Sequence, residues 1–495
     1  MLEELLEKYF GYRAFKKGQK DVIASILAGK HTLAMLPTGT GKSLCYQLPG
    51  FLLSGSVIVV SPLLSLMQDQ VEQMMKFKEK RVIALNSFLT GIERRTALQQ
   101  LENYKFIFIS PEMLQTEAVF QRLKMLSISL FVVDEAHCIS QWGYDFRPAY
   151  LKLGEIRRQL GSPQTLALTA TATKTVREDI LRSLELQDAT KIVSTVDRPT
   201  IAFSIVETTD YLEKQQRILE YAQKLEKPGI IYFSSKKAAD QMAQYLRENG
   251  LSKVMAYHGG LDQEQRSLIQ QQFIHNQLDI ICATSAFGMG INKENVRFVI
   301  HFHMPLQLES YLQEIGRAGR DGLPSIAILL YSPGDEQLPI QLVESELPGK
   351  WQIDWIFHKL KEQKPANFSF IQKELLEMGG LSETQLRLIE EFLNGVPLSL
   401  SNLEEIQRRM EQYVDNRLRI KKANIAKVKK WIEAKQCRRE IILDYFHETI
   451  VTKVANCCDH CGIDLETYEA KPSTPVMAEP VNWQNYLYEI LLSES

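Results

Sequence analysis

The residues best suited to chemistry form a phosphate-binding pattern near the N-terminus. Residues 35–43 read Met-Leu-Pro-Thr-Gly-Thr-Gly-Lys-Ser, between a short apolar run and a helical pattern. Glycines at such a turn let backbone N–H groups point at phosphate oxygens, and the helix N-terminus adds its positive end. Lys42 is placed to reach the β- and γ-phosphates, and the Ser43 hydroxyl to bind Mg²⁺. The predicted nucleotide-binding residues of this loop are Thr38, Gly39, Thr40, Gly41, Lys42 and Ser43. Leu36 stands where the strict motif has glycine, and a plain glycine turn before a helix is the alternative.

Two adjacent carboxylates, Asp134 and Glu135, follow an apolar run over residues 130–133. An aspartate at the C-terminal end of such a strand can bind Mg²⁺ through water. The next carboxylate, Glu135, can orient and deprotonate an attacking water as a general base. Two acids after a strand are also common as a solvated loop or a helix cap, but beside the phosphate motif the catalytic interpretation is favoured.

A pair of arginines, Arg317 and Arg320, occurs in the segment 313–322, which reads Gln-Glu-Ile-Gly-Arg-Ala-Gly-Arg-Asp-Gly. Arginines three residues apart on one helical face can project together into a cleft. Their planar, permanent charges suit the stabilisation of a transferring γ-phosphate. The alternative is a surface pair before a glycine turn.

Apolar runs and helical patterns alternate between residues 31 and 331, and this predicts parallel α/β sheets that position the three motifs. The first group of predicted strands covers 31–36, 57–60, 82–85, 106–109, 130–133 and 165–168. The second group covers 230–233, 254–257, 280–282, 298–301 and 326–330. The segment 197–200, Asp-Arg-Pro-Thr, is interpreted as the joint between two domains, because proline restricts the chain. We expect domains over 1–198 and 199–340, a helical insert and metal-binding region over 341–468, and a tail over 469–495.

Composition narrows the class of protein. The 495 residues carry a formal net charge of −2, so overall charge neither supports nor excludes a nucleic-acid partner. The N-terminus has no positively charged start, and no apolar run reaches the roughly 18 residues of a membrane span. We therefore expect a cytoplasmic protein with no membrane partner. Seven cysteines include a cluster after residue 436 that, in a reducing compartment, indicates a metal more than disulfides.

Further segments link these motifs to a known family. Residues 167–172 read Ala-Leu-Thr-Ala-Thr-Ala, and residues 137–148 read His-Cys-Ile-Ser-Gln-Trp-Gly-Tyr-Asp-Phe-Arg-Pro. The other matching segments are 59–70, 257–260 and 286–293. Together they resemble helicases of the RecQ family in superfamily 2, in particular the short bacterial RecS-type form without a C-terminal accessory domain. The resemblance implies two tandem RecA-like domains followed by a mainly helical zinc-binding domain. It also implies ATP-dependent unwinding of DNA by 3′-to-5′ movement.

The aromatic-rich segment 137–148 supplies candidate contacts to DNA. Trp142 and Phe146 offer ring faces on which bases stack, worth roughly 1–3 kcal/mol per base, and Arg147 can bind a phosphate. A partly buried Trp-Phe corner that fills a cleft is the alternative. The resemblance adds Ser61, Ser235 and Thr284 as contacts to the DNA strand.

The resemblance also assigns adenine binding to residues 10–19. Gln19 can bond to adenine N6 and N7, and Tyr12 can stack on the ring. Lys16 stands where the family usually has arginine, and lysine lacks planar stacking, which puts nucleotide affinity and selectivity for ATP in question. Three further departures from the family pattern are Tyr144, Lys236 and Asn292. Each keeps a hydrogen-bonding or cationic group, so retuning is expected.

The cysteine cluster resembles the RecQ zinc subdomain. Four thiolates around a tetrahedral Zn²⁺ can hold together a small module that lacks a large core. The predicted ligands are Cys437, Cys457, Cys458 and Cys461, with His460 as a substitute if adjacent cysteines cannot both reach the metal. The family spacing would place a cysteine at Ala455. Buried unmetallated thiols are the alternative.

The region before this cluster is helical and locally basic. Residues 408–439 contain 12 Lys or Arg against 3 Asp or Glu, which fits either a DNA contact or an exposed helical face. Residues 370–393 read as two helices around a glycine turn, either a helix-turn-helix insert or plain helical packing. Only 34 residues follow Cys461, too few for both the winged helix and the helical accessory domain that many members of the resembled family carry there, so the usual strand-separating hairpin is expected to be missing.

The sequence therefore predicts an ATP-dependent DNA helicase that uses Mg²⁺ and Zn²⁺ and serves repair or recombination. The expected partners are single-stranded and duplex DNA and a single-strand-binding protein, and the expected state is a monomer. Two alternatives remain: an RNA helicase, and a nucleic-acid-binding scaffold without turnover. Unwinding of DNA against RNA separates the first, and DNA-stimulated ATP hydrolysis separates the second.

Overall fold

The computed structural model describes residues 2–62, 64–86, 89–140, 147–288, 293–362, 368, 379–393, 398–399, 401–451 and 454–471. Within them are two β-sheets, each made of parallel strands, and a helical region that follows them. The predicted joint, residues 197–200, is the linker between the two sheets. The strands are β1 Thr32–Met35, β2 Ser56–Val60, β3 Val82–Leu85, β4 Phe106–Ile109, β5 Ile128–Val133, β6 Thr165–Thr169, β7 Thr190–Val193, β8 Ile201–Glu207, β9 Gly229–Tyr232, β10 Val254–Tyr257, β11 Ile280–Ala283, β12 Phe298–His301 and β13 Ser325–Tyr331.

The first sheet has the strand order β3-β4-β2-β5-β6-β1-β7, and all its strands are parallel. Its central strands consist almost wholly of buried Val, Ile, Leu and Phe, because helices cover both faces. β6 lies between β1 and β5. The phosphate motif after β1 and the carboxylates after β5 therefore meet at the same edge, one strand apart.

The second sheet has the parallel order β10-β11-β9-β12-β13-β8. Each of the eleven predicted strands is present, with bounds within two residues of the prediction. The two strands missing from the prediction, β7 and β8, are the edge strands that flank the linker. The predicted two-sheet α/β fold class is confirmed.

Helices connect the strands and form the C-terminal region. They are α1 Leu2–Phe10, α2 Gln19–Leu27, α3 Leu44–Leu52, α4 Leu64–Lys76, α5 Gly91–Gln99, α6 Pro111–Leu114, α7 Glu117–Lys124, α8 Pro148–Leu151, α9 Leu153–Gln159, α10 Lys174–Ser183, α11 Tyr211–Lys224, α12 Lys236–Glu248, α13 Gln263–Ile274, α14 Leu308–Ile315, α15 Gln337–Glu346, α16 Lys350–Glu362, α17 Glu383–Leu393, α18 Leu403–Glu433 and α19 Arg438–Tyr445. In the part of the chain that the structure describes, no helix is both long and apolar enough to span a bilayer.

The C-terminal region has its own apolar core, built from α16, α17 and α18. Residues 369–378, the first half of the predicted helix pair, lie outside the described residues, so the helix-turn-helix interpretation stays a prediction. The predicted tail begins with ordered contacts, since the N–H of Ala470 donates to the carbonyl of Lys224 at 2.8 Å. Residues 472–495 lie outside the described residues.

Candidate active site and metal centre

The phosphate loop connects β1 to α3. Gly39 and Gly41 have φ values of 83° and 69°, left-handed values that glycine adopts without strain. The Gln19 amide braces the loop, because its Nε2 donates to the carbonyls of Thr40 and Gly41 at 2.7 and 3.0 Å. Its Oε1 accepts from the backbone N–H of Lys16 at 2.7 Å. Both amide hydrogens of Gln19 are therefore donated to the loop, and a bidentate contact with adenine, which stays a prediction, requires this amide to rotate.

Lys42 lies opposite the carboxylate predicted to be the general base. Its Nζ is 3.6 Å from Oε1 of Glu135, and both side chains are mostly buried. The other carboxylate oxygen, Oε2, is 3.4 Å from Nδ1 of His137. That nitrogen lies 3.0 Å from the hydroxyl of Thr169 at the end of β6. Glu135 is thus held between the phosphate-binding lysine and a histidine that links it to the next strand.

Asp134 is buried beside these groups. Burial raises the pKa of Asp134 to about 7; the charge of Glu135 adds to the rise and Lys42 opposes it. Asp134 and Ser43 line the same cleft. Carboxylate and hydroxyl oxygens are ligands that Mg²⁺ prefers, and a cation here would favour the charged form of the buried carboxylate. The donor set therefore fits Mg²⁺.

Arg320 reaches the first sheet from the second. A Cβ added at Gly39 would lie 2.6 Å from Cδ of Arg320, so the arginine side chain packs directly on the phosphate loop. Burial, followed by the charges of Arg317 and Arg198, lowers the pKa of Arg320 to about 9. A bound triphosphate would supply the negative charge that such a cluster of cations favours.

Arg317 is oriented differently. Its Nε donates to the hydroxyl of Tyr232 at 2.8 Å, and its Nη1 donates to the carbonyl of Gly288. Arg317 thus borders the cleft while it is bonded within its own domain, and a direct contact with phosphate requires it to leave these partners.

A cavity of about 300 Å³ between the two sheets brings most predicted nucleotide residues together. Those that line it are Tyr12, Lys16, Gln19, Thr38, Gly39, Gly41, Lys42, Ser43, Asp134, Glu135, Arg317 and Arg320. Thr40 is the exception, since its hydroxyl turns back to donate to the carbonyl of Pro37 at 2.7 Å.

Sequence reasoning missed Glu294, which lines the same cavity. Its Oε1 is 3.3 Å from Nζ of Lys16, and this lysine also donates to the carbonyl of Gly39 at 3.1 Å. Lys16 therefore links the phosphate loop to the second sheet. The two partners are 278 positions apart in sequence, so no local motif could mark them.

A second cavity, of about 480 Å³, lies beside the first, and Arg317 lines both. Two predicted DNA-binding residues, Arg147 and Thr284, line it as well. Nη1 of Arg147 donates to the carbonyl of Pro62 at 2.8 Å, which connects the end of the aromatic segment to the segment 59–70. The structure thus puts two DNA candidates next to the nucleotide cleft.

Two other DNA candidates, Ser61 and Ser235, do not line this second cavity. Ser61 is buried, at 2% exposure, so DNA could reach it only after a rearrangement. The hydroxyl of Ser235 accepts from the N–H of Ala238 at 3.4 Å and caps α12. Trp142 and Phe146 lie outside the described residues. The contacts of these candidates with DNA stay predictions. Of the three departures from the family pattern, only Lys236 lies within the described residues, where it is the first residue of α12.

The four predicted zinc ligands converge. The Sγ atoms of Cys437, Cys457, Cys458 and Cys461 all lie within 4.8 Å of one another. Cys437 Sγ is 3.6 Å from Cys457 Sγ and 3.9 Å from Cys458 Sγ. Thiolates at about 2.3 Å from a tetrahedral Zn²⁺ are about 3.8 Å apart, so the spacing fits zinc. His460 points elsewhere, with Nε2 at 3.0 Å from the carbonyl of Ala434.

The basic stretch of α18 is partly neutralised by α15. Lys421 pairs with Glu346, Lys422 with Glu344, and Lys429 with Glu336. These lysines dock α18 on the end of the second sheet domain. A DNA contact by the stretch therefore depends on its remaining cations.

Three family profiles match in the order of these parts. The DEAD/DEAH box helicase profile matches residues 16–179, and the helicase conserved C-terminal domain profile matches residues 211–322. The RecQ zinc-binding profile matches residues 401–463, which contain all four converging cysteines.

Similar proteins agree with the profiles. The chain is 46% identical to the "Probable ATP-dependent DNA helicase RecS" of Bacillus subtilis, over 99% of this chain and 97% of that protein. It is 36% identical to the "ATP-dependent DNA helicase RecQ" of Haemophilus influenzae, over 93% of this chain but 63% of that protein. The solved structure of Mycobacterium smegmatis helicase Lhr bound to ssDNA and AMP-PNP is similar in fold. Its TM-score is 0.56 at 23% identity, over 72% of this chain and 52% of that one. With its two helicase profiles, its RecQ zinc-binding profile and these relatives, the chain belongs to the RecQ family of helicases.

Proposed function

We propose that this protein is an ATP-dependent DNA helicase that moves 3′-to-5′ along one strand and separates the duplex ahead of it. The observation that carries the proposal is the interdomain cleft, where the phosphate loop and carboxylates of one sheet face the arginines of the other. A nucleotide bound there bridges both domains. Its hydrolysis therefore changes the contacts that hold the domains together, which is what a motor requires.

Within the cleft, each group has a role for ATP hydrolysis. Lys42 and the loop N–H groups bind the phosphates, and Ser43 and Asp134 would hold Mg²⁺, which would supply positive charge to the reacting phosphates. Glu135 orients the attacking water and accepts its proton on a carboxylate oxygen. Arg320, already packed on the loop, stabilises the charge of the transition state, and Arg317 joins it after leaving Tyr232 and Gly288.

The contacts around Glu135 support a route to the DNA. His137 lies near both Glu135 and Thr169, so a movement at the γ-phosphate can reach the end of β6. The N–H of Arg147 donates to the carbonyl of Cys138 at 3.0 Å. This bond connects the end of the aromatic segment to the short helical turn over Ala136–Ile139, which also carries His137. These contacts form a contiguous path from the nucleotide cleft to Arg147. Mutation of His137 tests whether this path couples ATP hydrolysis to DNA binding.

DNA is the proposed substrate because two relatives, matched over 99% and 93% of this chain, carry DNA-helicase names. The RNA-helicase alternative and the scaffold alternative make different predictions for ATP hydrolysis. A DNA helicase hydrolyses ATP faster with single-stranded DNA than with RNA of the same sequence. A scaffold does not hydrolyse ATP with either.

The test is steady-state ATP hydrolysis with single-stranded DNA, with RNA and without nucleic acid. We expect stimulation by DNA that is lost in Lys42→Ala, because Lys42 touches the reacting phosphates. Lys80→Ala is the matched control, since Lys80 is exposed and does not line the cleft, and it should behave like the wild type. Stimulation by RNA alone, or no hydrolysis with either nucleic acid, would overturn the proposal.

The proposal also covers the zinc ion, the oligomeric state, the cellular location and the protein partner. Zn²⁺ held by the four cysteines stabilises the C-terminal module. A monomeric, cytoplasmic enzyme that acts in repair or recombination alongside a single-strand-binding protein is consistent with the family. Sedimentation of the pure protein tests the monomer, and co-sedimentation tests the partner.

A further inference from the structure

Arg198, in the linker between the sheets, is bonded to loops of both domains. Its Nη1 donates to the carbonyl of Thr38 in the phosphate loop at 3.1 Å and to that of Gly316 at 3.2 Å. Its Nη2 donates to the carbonyls of Ala318 and Gly319 at 3.0 and 3.3 Å. One guanidinium therefore joins the phosphate loop to the loop that carries Arg317 and Arg320.

The contact around this guanidinium is close. The hydroxyl of Thr38 also donates to the carbonyl of Gly316, at 3.0 Å, so the two loops touch directly beside Arg198. A Cβ at Gly316 would lie 2.4 Å from that hydroxyl oxygen, which leaves no room for a side chain. Because the carbonyls come from two domains, Arg198 can satisfy them all only when the domains are closed on the cleft.

The linker is itself held by the cysteine module, the region that carries Cys437, Cys457, Cys458 and Cys461. Arg439, two residues after Cys437 and 1% exposed, pairs with Asp197 and donates to the carbonyls of Arg198 and Ile201. Its guanidinium also lies over the ring of Phe203, at 4.8 Å from the ring centre. Buried charge pairs of this kind fix one geometry, since removal of either partner leaves an uncompensated charge.

We propose that Arg198 is a positioning residue that latches the two domains closed around the nucleotide. Arg439 of the cysteine module holds the linker in the register that the latch requires. The inference rests on the proposed ATP-hydrolysing function and assigns a new residue to it. Arg198 touches neither phosphate nor water in this role; it sets the distance between the phosphate loop and Arg320.

The side chain at position 198 must be arginine for this role. A guanidinium is a planar fork with five N–H donors, and four carbonyls on two loops match that fork. Lysine keeps the charge but has one compact donor group. Arg198→Lys should therefore fail to rescue the loss seen in Arg198→Ala, whereas a role that needs only positive charge would be rescued.

The experiment compares the full-length wild type, Arg198→Ala and Arg198→Lys at saturating single-stranded DNA. We expect kcat for ATP hydrolysis to fall roughly 10–100-fold in both variants, as for a misplaced catalytic constellation, with KM changed less than about threefold. Melting temperature and zinc content should match the wild type. The matched control is Arg158→Ala, which removes an exposed arginine that pairs across the surface with Glu185 and should leave kcat unchanged.

A second readout does not depend on hydrolysis. Small-angle X-ray scattering without nucleotide should give a larger radius of gyration for Arg198→Ala than for the wild type, because the unlatched domains separate. Asp197→Asn and Arg439→Gln test the support of the linker. Each substitution should lower kcat. The kcat of the double variant should be no lower than that of the more affected single variant.

The outcomes separate the inference from the proposed function. Wild-type kcat and wild-type scattering in Arg198→Ala, or full rescue by lysine, overturn the latch. A fall in melting temperature and zinc content along with kcat also overturns it, because the residue would then be merely structural. Additive effects of Asp197→Asn and Arg439→Gln overturn the role of Arg439. If the wild type itself hydrolyses no ATP, the proposed function fails, and scattering alone still decides the latch.

Discussion

Asp134 and Arg320 sit in the same cleft with opposite charges, and burial disfavours the charged form of both. The pKa of Asp134 rises to about 7, chiefly through burial, and that of Arg320 falls to about 9 for the same main reason. A cation beside the first and a phosphate beside the second would each favour the charged form. The two pKa shifts therefore fit one ligand that carries both charges, a nucleotide with its divalent ion.

The raised pKa of Asp134 gives a pH-dependent prediction. The folded-state pKa is near 7, above the ordinary value of about 3.9 for an unfolded chain. The stability contributed by protonated Asp134 is thus fully present below about pH 4 and is lost as the pH rises through 7. Asp134→Asn removes this loss. Without nucleotide and Mg²⁺, its melting temperature should exceed that of the wild type at pH 8 and approach it at pH 5.

The control for this prediction is Asp188→Asn, at an exposed position outside the cleft. It should shift the melting temperature little at either pH. A gain in Asp134→Asn that is equal at pH 5 and pH 8 would contradict the raised pKa.

Among the elements, strands were predictable where the sequence is uniformly apolar. β7 was missed because it is an edge strand in which half-buried Thr190 and Ile192 alternate with exposed Lys191 and Val193. β8 was missed because it begins two residues after the linker proline, Pro199, and its Phe203 bridges Cys458 of the cysteine module. Neither environment is visible in a local apolar run.

Residues of the site were likewise predictable only where the signal is local in the sequence. The phosphate loop and carboxylates were found from sequence because each lies at a strand end and carries its own motif. The contacts of Glu294 and Arg198 were not predicted, because their partners lie far away in the sequence. The basic stretch of α18 was ambiguous for the same reason, since its partners on α15 are about 75 positions away, as for Lys421 and Glu346.

The contact between the phosphate loop and the segment after α14 gives a prediction at the scale of elements. Gly316→Ala should lower kcat for ATP hydrolysis by about tenfold or more, because its Cβ would be 2.4 Å from the Thr38 hydroxyl and push the loops apart. Gly91→Ala is the control, since an added Cβ there meets nothing within 4 Å. Equal kcat for Gly316→Ala and the wild type would argue that the loops need not touch.

The cysteine module gives a second prediction at this scale. Cys458→Ser should release most of the roughly one Zn²⁺ expected per chain and lower the melting temperature, because folding of the module is coupled to metal binding. His460→Ala should keep its zinc, since that ring lies against the carbonyl of Ala434. Metal analysis of the two purified variants is the measurement. Loss of zinc in His460→Ala with retention in Cys458→Ser would reverse the ligand assignment.

At the scale of the whole molecule, the cysteine module, α18 and the second cavity each connect to the domains that form the interdomain cleft. The cysteine module reaches it through Arg439 and the linker, and α18 reaches the second sheet domain through its ion pairs with α15. The cavity lined by Arg147 and Thr284 adjoins it on the other side. This connectivity is what a machine that converts hydrolysis into strand movement needs.

The most direct test of that account is ATP-dependent unwinding of duplexes that carry a 3′ tail, a 5′ tail or no tail, with Lys42→Ala as the inactive control. We expect the wild type to open the 3′-tailed DNA, to leave the other two largely intact and to require ATP, and we expect Lys42→Ala to open none. ATP hydrolysis without opening of any duplex would contradict the helicase and leave a translocase. Preferential opening of the 5′-tailed DNA would contradict the proposed direction of movement.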